Sequence, residues 1–305
     1  MTALSDIQSG IGWIGVGKMG NPMATRLVEA GYRLCICDPL AENRASLVAR
    51  GADVATSVGE LAARSKIIFM TIPNDDVLEQ VIYEDAEKSG FFSQVAAGTV
   101  LVEMSTVSPG LSARVAGDLA RHGVAYLRCP ISGSTALART GNLTALTSGD
   151  QSAWETVGPL IDRLASRKFY LGDGEQARYM KLVLNALVGA TASVLAEALV
   201  LGEKGGLVTS QMLEVIVESA VASPLIRYKQ DMLERMDFTP AFSVLQMMKD
   251  FNLITEAGRD RQVPMFLTNL IAQQYAAASN IGYGEQDFFS LFQWMRETYG
   301  LSTPT

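Results

Sequence analysis

Short β-rich runs alternate with helical stretches as far as residue 170 and then stop, and this change of pattern restricts the chain more than any other feature. Alternation of this kind builds a parallel sheet with helices on both faces, because parallel neighbours need a crossover long enough to hold a helix. Six runs read as strands: residues 12–14, 33–37, 66–71, 100–103, 125–127 and 143–147. Between them, residues 22–30, 40–50, 77–87 and 108–122 carry helical periodicity or helix-forming composition. After residue 174 helical patterns follow one another, punctuated by Gly205-Gly206, Ser223-Pro224 and Gly282-Tyr283-Gly284. The expectation is an α/β, doubly wound N-terminal domain over 1–173 and an all-helical C-terminal domain over 174–305.

The length of 305 residues suits two domains at about 150 each, and 48% hydrophobic residues is enough to bury a core in both. A net charge of −7 is the wrong sign for gripping a phosphate backbone, so nucleic acid is not expected as a partner. Three cysteines, Cys35, Cys37 and Cys129, form no C-x-x-C pair and no disulfide framework, which points to a reducing, cytoplasmic setting. Cys35 and Cys37 alternate on one strand and read as small buried hydrophobes. The single histidine, His122, removes two-imidazole zinc sites, and no metal is expected. The first ten residues carry neither a basic residue nor an apolar run and read as a frayed tail, not a targeting peptide. Residues 182–201 are apolar enough to raise the question of a membrane span. Glu197 would be costly in lipid, so the stretch reads as a buried helix that joins the domains and floors both, with no membrane partner.

Gly15-Val16-Gly17-Lys18-Met19-Gly20 follows a predicted strand and opens a predicted helix. In that setting Gly15 permits a tight turn, Gly17 lets backbone approach a pyrophosphate, and Gly20 allows close helix packing. The helix N-terminus then faces the phosphates. Asp38 ends the second strand, 23 positions after Gly15, close to the roughly 20 expected of the acid that binds ribose hydroxyls. An aspartate there repels a 2′-phosphate, so NAD is expected in preference to NADP; Arg44 is the residue that would reach round to such a phosphate.

The run from Gly15 to Ala24, ending Met19-Gly20-Asn21-Pro22-Met23-Ala24, closely resembles the signature of the β-hydroxyacid dehydrogenases, which include 3-hydroxyisobutyrate dehydrogenase and tartronate semialdehyde reductase. Further segments resemble that family in the same order. Ile72-Pro73-Asn74 and Ser105-Thr106-Val107-Ser108-Pro109 match its cofactor loops, and Cys129-Pro130-Ile131-Ser132-Gly133-Ser134 its substrate loop. Lys181 with Asn185 matches its catalytic pair, and Lys249-Asp250, Gly282-Tyr283-Gly284 and Asp287 its C-terminal motifs. The resemblance implies a Rossmann-type first domain, cofactor contacts from Gly15, Gly17, Lys18, Met19, Gly20, Asp38, Pro73, Thr106 and Lys249, and a homodimer or homotetramer.

Lys181 and Asn185 are four apart and project from one helix face. Taken alone, Lys181 reads as a helix-end lysine reaching water; beside a nicotinamide, desolvation would favour its neutral form and suit it to proton transfer. In the resembling family the matching lysine handles the hydroxyl proton and the matching asparagine positions substrate. Ser132, Gly133 and Ser134 offer donors for a substrate carboxylate, or simply a turn. Lys249 reads equally as a charge-assisted contact to substrate or cofactor or as a helix cap with Asp250, while Asp287 reads as a brace between C-terminal helices. The chain departs from the family where Arg128 replaces an acid, Ser134 a glycine, Glu175 and Ala177 two glycines, and Leu184 an asparagine. The expectation is an NAD(P)-dependent oxidoreductase interconverting a small 3-hydroxy acid and its semialdehyde or keto acid, with Lys181 as general acid/base. Alternatives are a same-fold enzyme acting on a hydroxy amino acid, sugar acid or imine, and a catalytically silent nucleotide-binding scaffold.

Overall fold

The computed structural model describes residues 9–84 and 89–301. The tail expected at the N-terminus lies outside the described residues up to position 8, as do positions 85–87 of the helix expected over 77–87. The chain forms two compact units that part between Lys181 and Leu182.

In the first unit, β1 (Ser9–Ile14), α1 (Gly20–Glu29), β2 (Arg33–Cys37), α2 (Ala41–Val48), β3 (Asp53–Val54), α3 (Val58–Arg64) and β4 (Ile67–Met70) come first. They are followed by α4 (Asp75–Tyr83), α5 (Phe91–Gln94), β5 (Val100–Glu103), α6 (Pro109–Arg121) and β6 (Ala125–Arg128). The six strands form one parallel sheet in the order β3-β2-β1-β4-β5-β6. The order reverses between β1 and β4, and open sheets of this kind bind ligands at the carboxyl ends of the strands beside that reversal. Both faces are covered, which explains why β4 is buried at all four residues, Ile67 to Met70. Trp13 and Phe69 join Met23, Ala24 and Leu27 of α1 on one face; Ile68 and Met70 join Leu61, Leu78 and Leu119 on the other. Trp13 stacks on Phe69 with ring centroids 4.9 Å apart.

The remainder of this unit corrects the expectation that residues 143–147 belong to the same sheet as the other strands. Residues 143–147 do form a strand, but in a separate three-stranded sheet of β7 (Ile131–Ser132), β8 (Leu143–Thr147) and β9 (Ala165–Tyr170). Helices α7 (Thr135–Thr140) and α8 (Gln151–Leu164) connect its strands. Strands β3 and β7 have only two residues each, too few for an alternation to register, and β9 is buried at Ala165 alone. Hydrophobic periodicity therefore missed all three.

The long helix α9 (Gln176–Lys204) contains the boundary between the units. The second unit continues with α10 (Thr209–Glu218), α11 (Pro224–Arg235), α12 (Val244–Asp260), α13 (Phe266–Ala278) and α14 (Leu291–Thr298). Its core includes Leu195 and Leu199 of α9, Phe251 and Ile254 of α12, and Ile271 and Tyr275 of α13. Gly189 admits the Phe251 ring where a Cβ would collide with it, and Tyr275 Oη donates to the Gly189 carbonyl at 3.1 Å. Helix α9 is long and apolar enough to cross a membrane by length and composition, and 44% of its most apolar window is buried. The expectation of burial all round holds for one side only: Val183, Leu187, Val194 and Leu201 are exposed. Asp287 is fully buried, accepting from Lys229 Nζ at 2.7 Å and from the backbone of Ala241 and Phe289, as a brace would. Burial lowers the pKa of Lys229 despite Asp287, which pulls the other way.

Candidate functional site

The three glycines of the turn after β1 have different reasons to be glycine. Gly15 adopts φ +79°, and a Cβ there would meet the Thr71 carbonyl; a Cβ on Gly20 would meet the Gly15 carbonyl and Thr71 Oγ1. Thr71 ties this turn together by donating to the Gly15 carbonyl while accepting from Trp13 Nε1 at 2.9 Å. A Cβ on Gly17 would meet only Asn43 Nδ2 at 3.8 Å, so nothing inside the protein requires glycine there. Gly17 and exposed Lys18 border a cleft of about 530 Å³, lined also by Val16, Asn21, Asn43 and Ser46. An open glycine beside a cleft, at the start of a helix, fits the passage of a pyrophosphate. Met19 stands at the N-cap of α1 with no side-chain cap bond.

Asp38, just beyond β2, is 8% exposed, and both of its oxygens are engaged. Oδ2 accepts from Val16 N at 2.8 Å; Oδ1 accepts from Leu40 N at 2.9 Å and Asn43 Nδ2 at 3.0 Å. The carboxylate thus joins the phosphate turn to the start of α2. Asn21 reinforces the junction by donating to the Asn43 carbonyl at 2.8 Å and to Ser46 Oγ at 2.9 Å. Asn43 and Ser46 were not singled out from sequence, since only the fold brings α1 and α2 side by side.

The loops after β4 and β5 are tied to each other. Ile72 N donates to Ser105 Oγ at 2.7 Å, and Ser108 N to Asp75 Oδ1 at 2.9 Å. Asn74 and Ser108 cap α4 and α6 through their side chains, so these motif residues are first of all helix starts. Pro73 is exposed and Thr106 half-buried, both at the carboxyl ends of the strands flanking the order reversal or next to it.

The start of α9 is held by charge. Arg178, 1% exposed, donates to Glu103, to the Ser105 carbonyl at 2.8 Å, to Ser112 Oγ at 3.1 Å and to Tyr126 Oη at 3.0 Å. Burial disfavours the Arg178 charge, but Glu103, Tyr126 and Glu175 outweigh it and raise its pKa above the usual arginine value. Glu103 in turn accepts from Ser105 N at 2.8 Å. The network therefore connects the helix that carries Lys181 to the expected cofactor loop. Removing one member of a buried pair of this kind costs about 3–5 kcal/mol, because the other charge is left uncompensated. No motif marked Glu103 or Arg178; a charged residue ending an apolar strand was the available signal.

Lys181 is half-buried, one turn beyond Arg178, and shares α9 with Asn185 four residues on. Within the second unit Asn185, 7% exposed, donates to Asp250 Oδ2, and Asp250 Oδ1 lies 3.0 Å from Lys249 Nζ. Asn185 and Lys249 are thus brought together through Asp250. Lys249 sits inside α12 and is not a cap.

The expected substrate loop runs from the end of β6 into the second sheet. Ser132 pairs with Thr144 in β7–β8, Gly133 has φ +140°, and Ser134 Oγ accepts from Leu137 N at 3.4 Å as the cap of α7. Cys129 is buried, which pushes its thiol up to about 11, and burial likewise raises Cys35 and Cys37. None of the three has the lowered pKa of a reactive thiolate. Among the described residues no cluster of three or more His, Cys, Asp or Glu is arranged to hold a metal ion.

Comparison with known proteins agrees with this geometry. Residues 10–172 match the NAD-binding domain of 6-phosphogluconate dehydrogenase, and residues 175–295 match the NAD-binding region of NADP-dependent 3-hydroxyisobutyrate dehydrogenase. The chain is 33% identical to 2-(hydroxymethyl)glutarate dehydrogenase of Eubacterium barkeri, covering 96% of each. It is 29% identical to NAD-dependent L-serine dehydrogenase of Pseudomonas aeruginosa, over 91% of this chain and 95% of that one. The crystal structure of 3-hydroxyisobutyrate dehydrogenase from Salmonella typhimurium superposes with a TM-score of 0.84 at 25% identity, covering 93% and 99%. A doubly wound sheet with an open phosphate turn, an all-helical second unit, and sequence similarity running through both together place this chain in the NAD(P)-binding hydroxyacid dehydrogenase family that includes 3-hydroxyisobutyrate dehydrogenase.

Proposed function

We propose that the protein interconverts a small 3-hydroxy acid and its semialdehyde or keto acid, using NAD in preference to NADP. The observation that carries this reading is the placement of Lys181: half-buried, one turn past a helix start tied by buried charge to the loop after β5. When bound, the nicotinamide supplies the two-electron acceptor or donor. Gly15, Gly17 and Lys18 would hold the pyrophosphate of the dinucleotide and Asp38 its ribose hydroxyls, with Pro73 and Thr106 alongside. Lys181 takes the hydroxyl proton during oxidation and returns it during reduction. Asn185, fixed by Asp250, orients the substrate; Lys249 and the donors at Ser132, Gly133 and Ser134 serve its carboxylate. The test is NADH formation from a panel that includes 3-hydroxyisobutyrate, 2-(hydroxymethyl)glutarate and L-serine. Turnover of at least one acid with NAD supports the reading, and none with either cofactor overturns it.

The preference for NAD rests on Asp38, buried just beyond β2 where an acid meets the ribose and disfavours a 2′-phosphate. Asp38→Ser is expected to lower the ratio of kcat/KM with NAD to that with NADP by about tenfold or more. That corresponds to removing about 1.4 kcal/mol of like-charge repulsion together with the ribose acceptor. Asp38→Asn, which keeps one acceptor oxygen for the turn, separates charge from local structure. A native enzyme that already favours NADP would show that Asp38 does not govern the pocket.

The reading includes self-association, as a homodimer or homotetramer in the cytoplasm. Helix α13 presents Phe266, Leu267 and Leu270 to solvent at 80%, 74% and 59% exposure, and a contiguous apolar patch favours a protein partner. Sedimentation analysis is expected to give at least twice the mass of one chain, and a monomer at micromolar concentration would remove this element.

A further inference from the structure

Two ion pairs, one buried and the other largely so, run side by side from the start of α9 to the carboxyl ends of neighbouring strands. Arg178 meets Glu103, the last residue of β5, and Glu175 meets Arg128, the last residue of β6. Glu103 and Arg128 face each other in register across the two strands, and their partners are three residues apart at the beginning of the helix. Arg128 Nε donates to Glu175 Oε1 at 2.8 Å, a second guanidinium nitrogen donates to the same oxygen, and the group lies 5.1 Å from the Tyr126 ring centroid. The Tyr126 hydroxyl accepts from Arg178, so one tyrosine touches both pairs. Glu175 Oε2 is buried with no hydrogen-bond partner among the described residues, so the hydrogen bonds that balance this carboxylate come from Arg128.

This second pair unites two of the departures noted from sequence, an arginine in place of an acid and a glutamate in place of a glycine. Either change alone would bury an uncompensated charge; together they neutralise each other. Arg178 ties the helix start to β5 and the loop after it, and Ser148 Oγ accepts from Ala177 N at 3.1 Å. The second bridge adds an attachment at the adjacent strand end and so restricts rotation of the helix start further. Lys181 lies one turn beyond Arg178 on α9 and less than two turns beyond Glu175, which immediately precedes the helix, so a rotation at the anchors is transmitted to its amine.

We propose that Arg128 and Glu175 are positioning residues for Lys181: their ion pair, beside Glu103–Arg178, fixes the rotation of the helix start and hence the placement of the Lys181 amine. The kinetic consequence rests on Lys181 being the acid/base of the proposed reaction; the placement itself does not.

The test uses the full chain with Arg128→Ala, Glu175→Ala, the double variant, and Arg128→Lys as the charge-conserving control. Trace acetylation with acetic anhydride, read by peptide mass spectrometry at several pH values, reports the environment of each lysine independently of turnover. Steady-state kinetics with NAD and the best acid of the panel, and NADH titration, report function. Each single alanine variant is expected to change the Lys181 acetylation rate at least about threefold while Lys18 and Lys66 stay unchanged. Each is also expected to lower kcat between about 10- and 100-fold, the loss that a misplacement of about 1 Å produces, with NADH affinity within about twofold. The double variant should be no worse than the poorer single variant, and Arg128→Lys should restore most of the acetylation behaviour. Unchanged Lys181 acetylation in both single variants would overturn the proposal, as would equal changes at all lysines, which would signify general loosening. A chain that oxidises no acid in the panel but shows the Lys181-specific response, reversed by Arg128→Lys, would uphold the placement and overturn the proposed reaction instead.

Discussion

Lys181→Met is expected to lower kcat by about 10²–10⁴-fold, the range lost when a positioned acid or base is removed, while NADH affinity stays within about twofold. Methionine keeps most of the length and helix propensity of lysine, so α9 should form as before. The bonds that secure the helix start belong to Arg178, Glu175 and Ser148, whose Oγ accepts from Ala177 N at 3.1 Å, and none of these is altered. The phosphate turn is held separately, through Thr71 and Asp38. Chemistry and cofactor binding should therefore separate, with the loss in kcat and the calorimetric NADH titration unmoved. Near-native turnover would show that another group moves the proton. Loss of both turnover and binding, with a lowered Tm by circular dichroism, would point to a disturbed helix.

Gly17→Val is expected to weaken NADH binding by at least about 100-fold without unfolding either unit, because a branched side chain would stand where the pyrophosphate passes. The three glycines make this prediction sharper than the motif alone does. Valine at Gly15 would require a left-handed backbone and collide with the Thr71 carbonyl, and valine at Gly20 would collide with the Gly15 carbonyl; both variants would damage the turn itself. At Gly17 the nearest atom to a Cβ is Asn43 Nδ2 at 3.8 Å, so the protein tolerates the added carbon and only the ligand does not. A native melting curve combined with lost binding by calorimetry is the expected pair of results. Undiminished NADH affinity would remove the cofactor from this turn.

Much of the cofactor half was legible because its signals are local. Residues 33–37 and 100–103 were read as strands with the bounds they have in the fold, since a strand buried on both faces is a continuous apolar run. Strand β9 escaped because five of its six residues face outward, and β8 was assigned to the wrong sheet because an apolar run does not name its neighbour. The apolar face of α9 was read as wholly buried because composition cannot tell which side of a helix lacks a partner.

The sequence alone determined the turn after β1, the acid that closes β2 and the common face of Lys181 and Asn185, since each depends on residues within about one supersecondary unit. Only the tertiary structure decided which charges neutralise one another. Arg128 and Glu175 are 47 residues apart, Asn185 and Asp250 are 65 apart, and Arg178 and Glu103 are 75 apart. Hydrophobic periodicity reports whether a position faces water, whereas a buried ion pair depends on two distant segments arriving together, each charge tolerable only because the other is there.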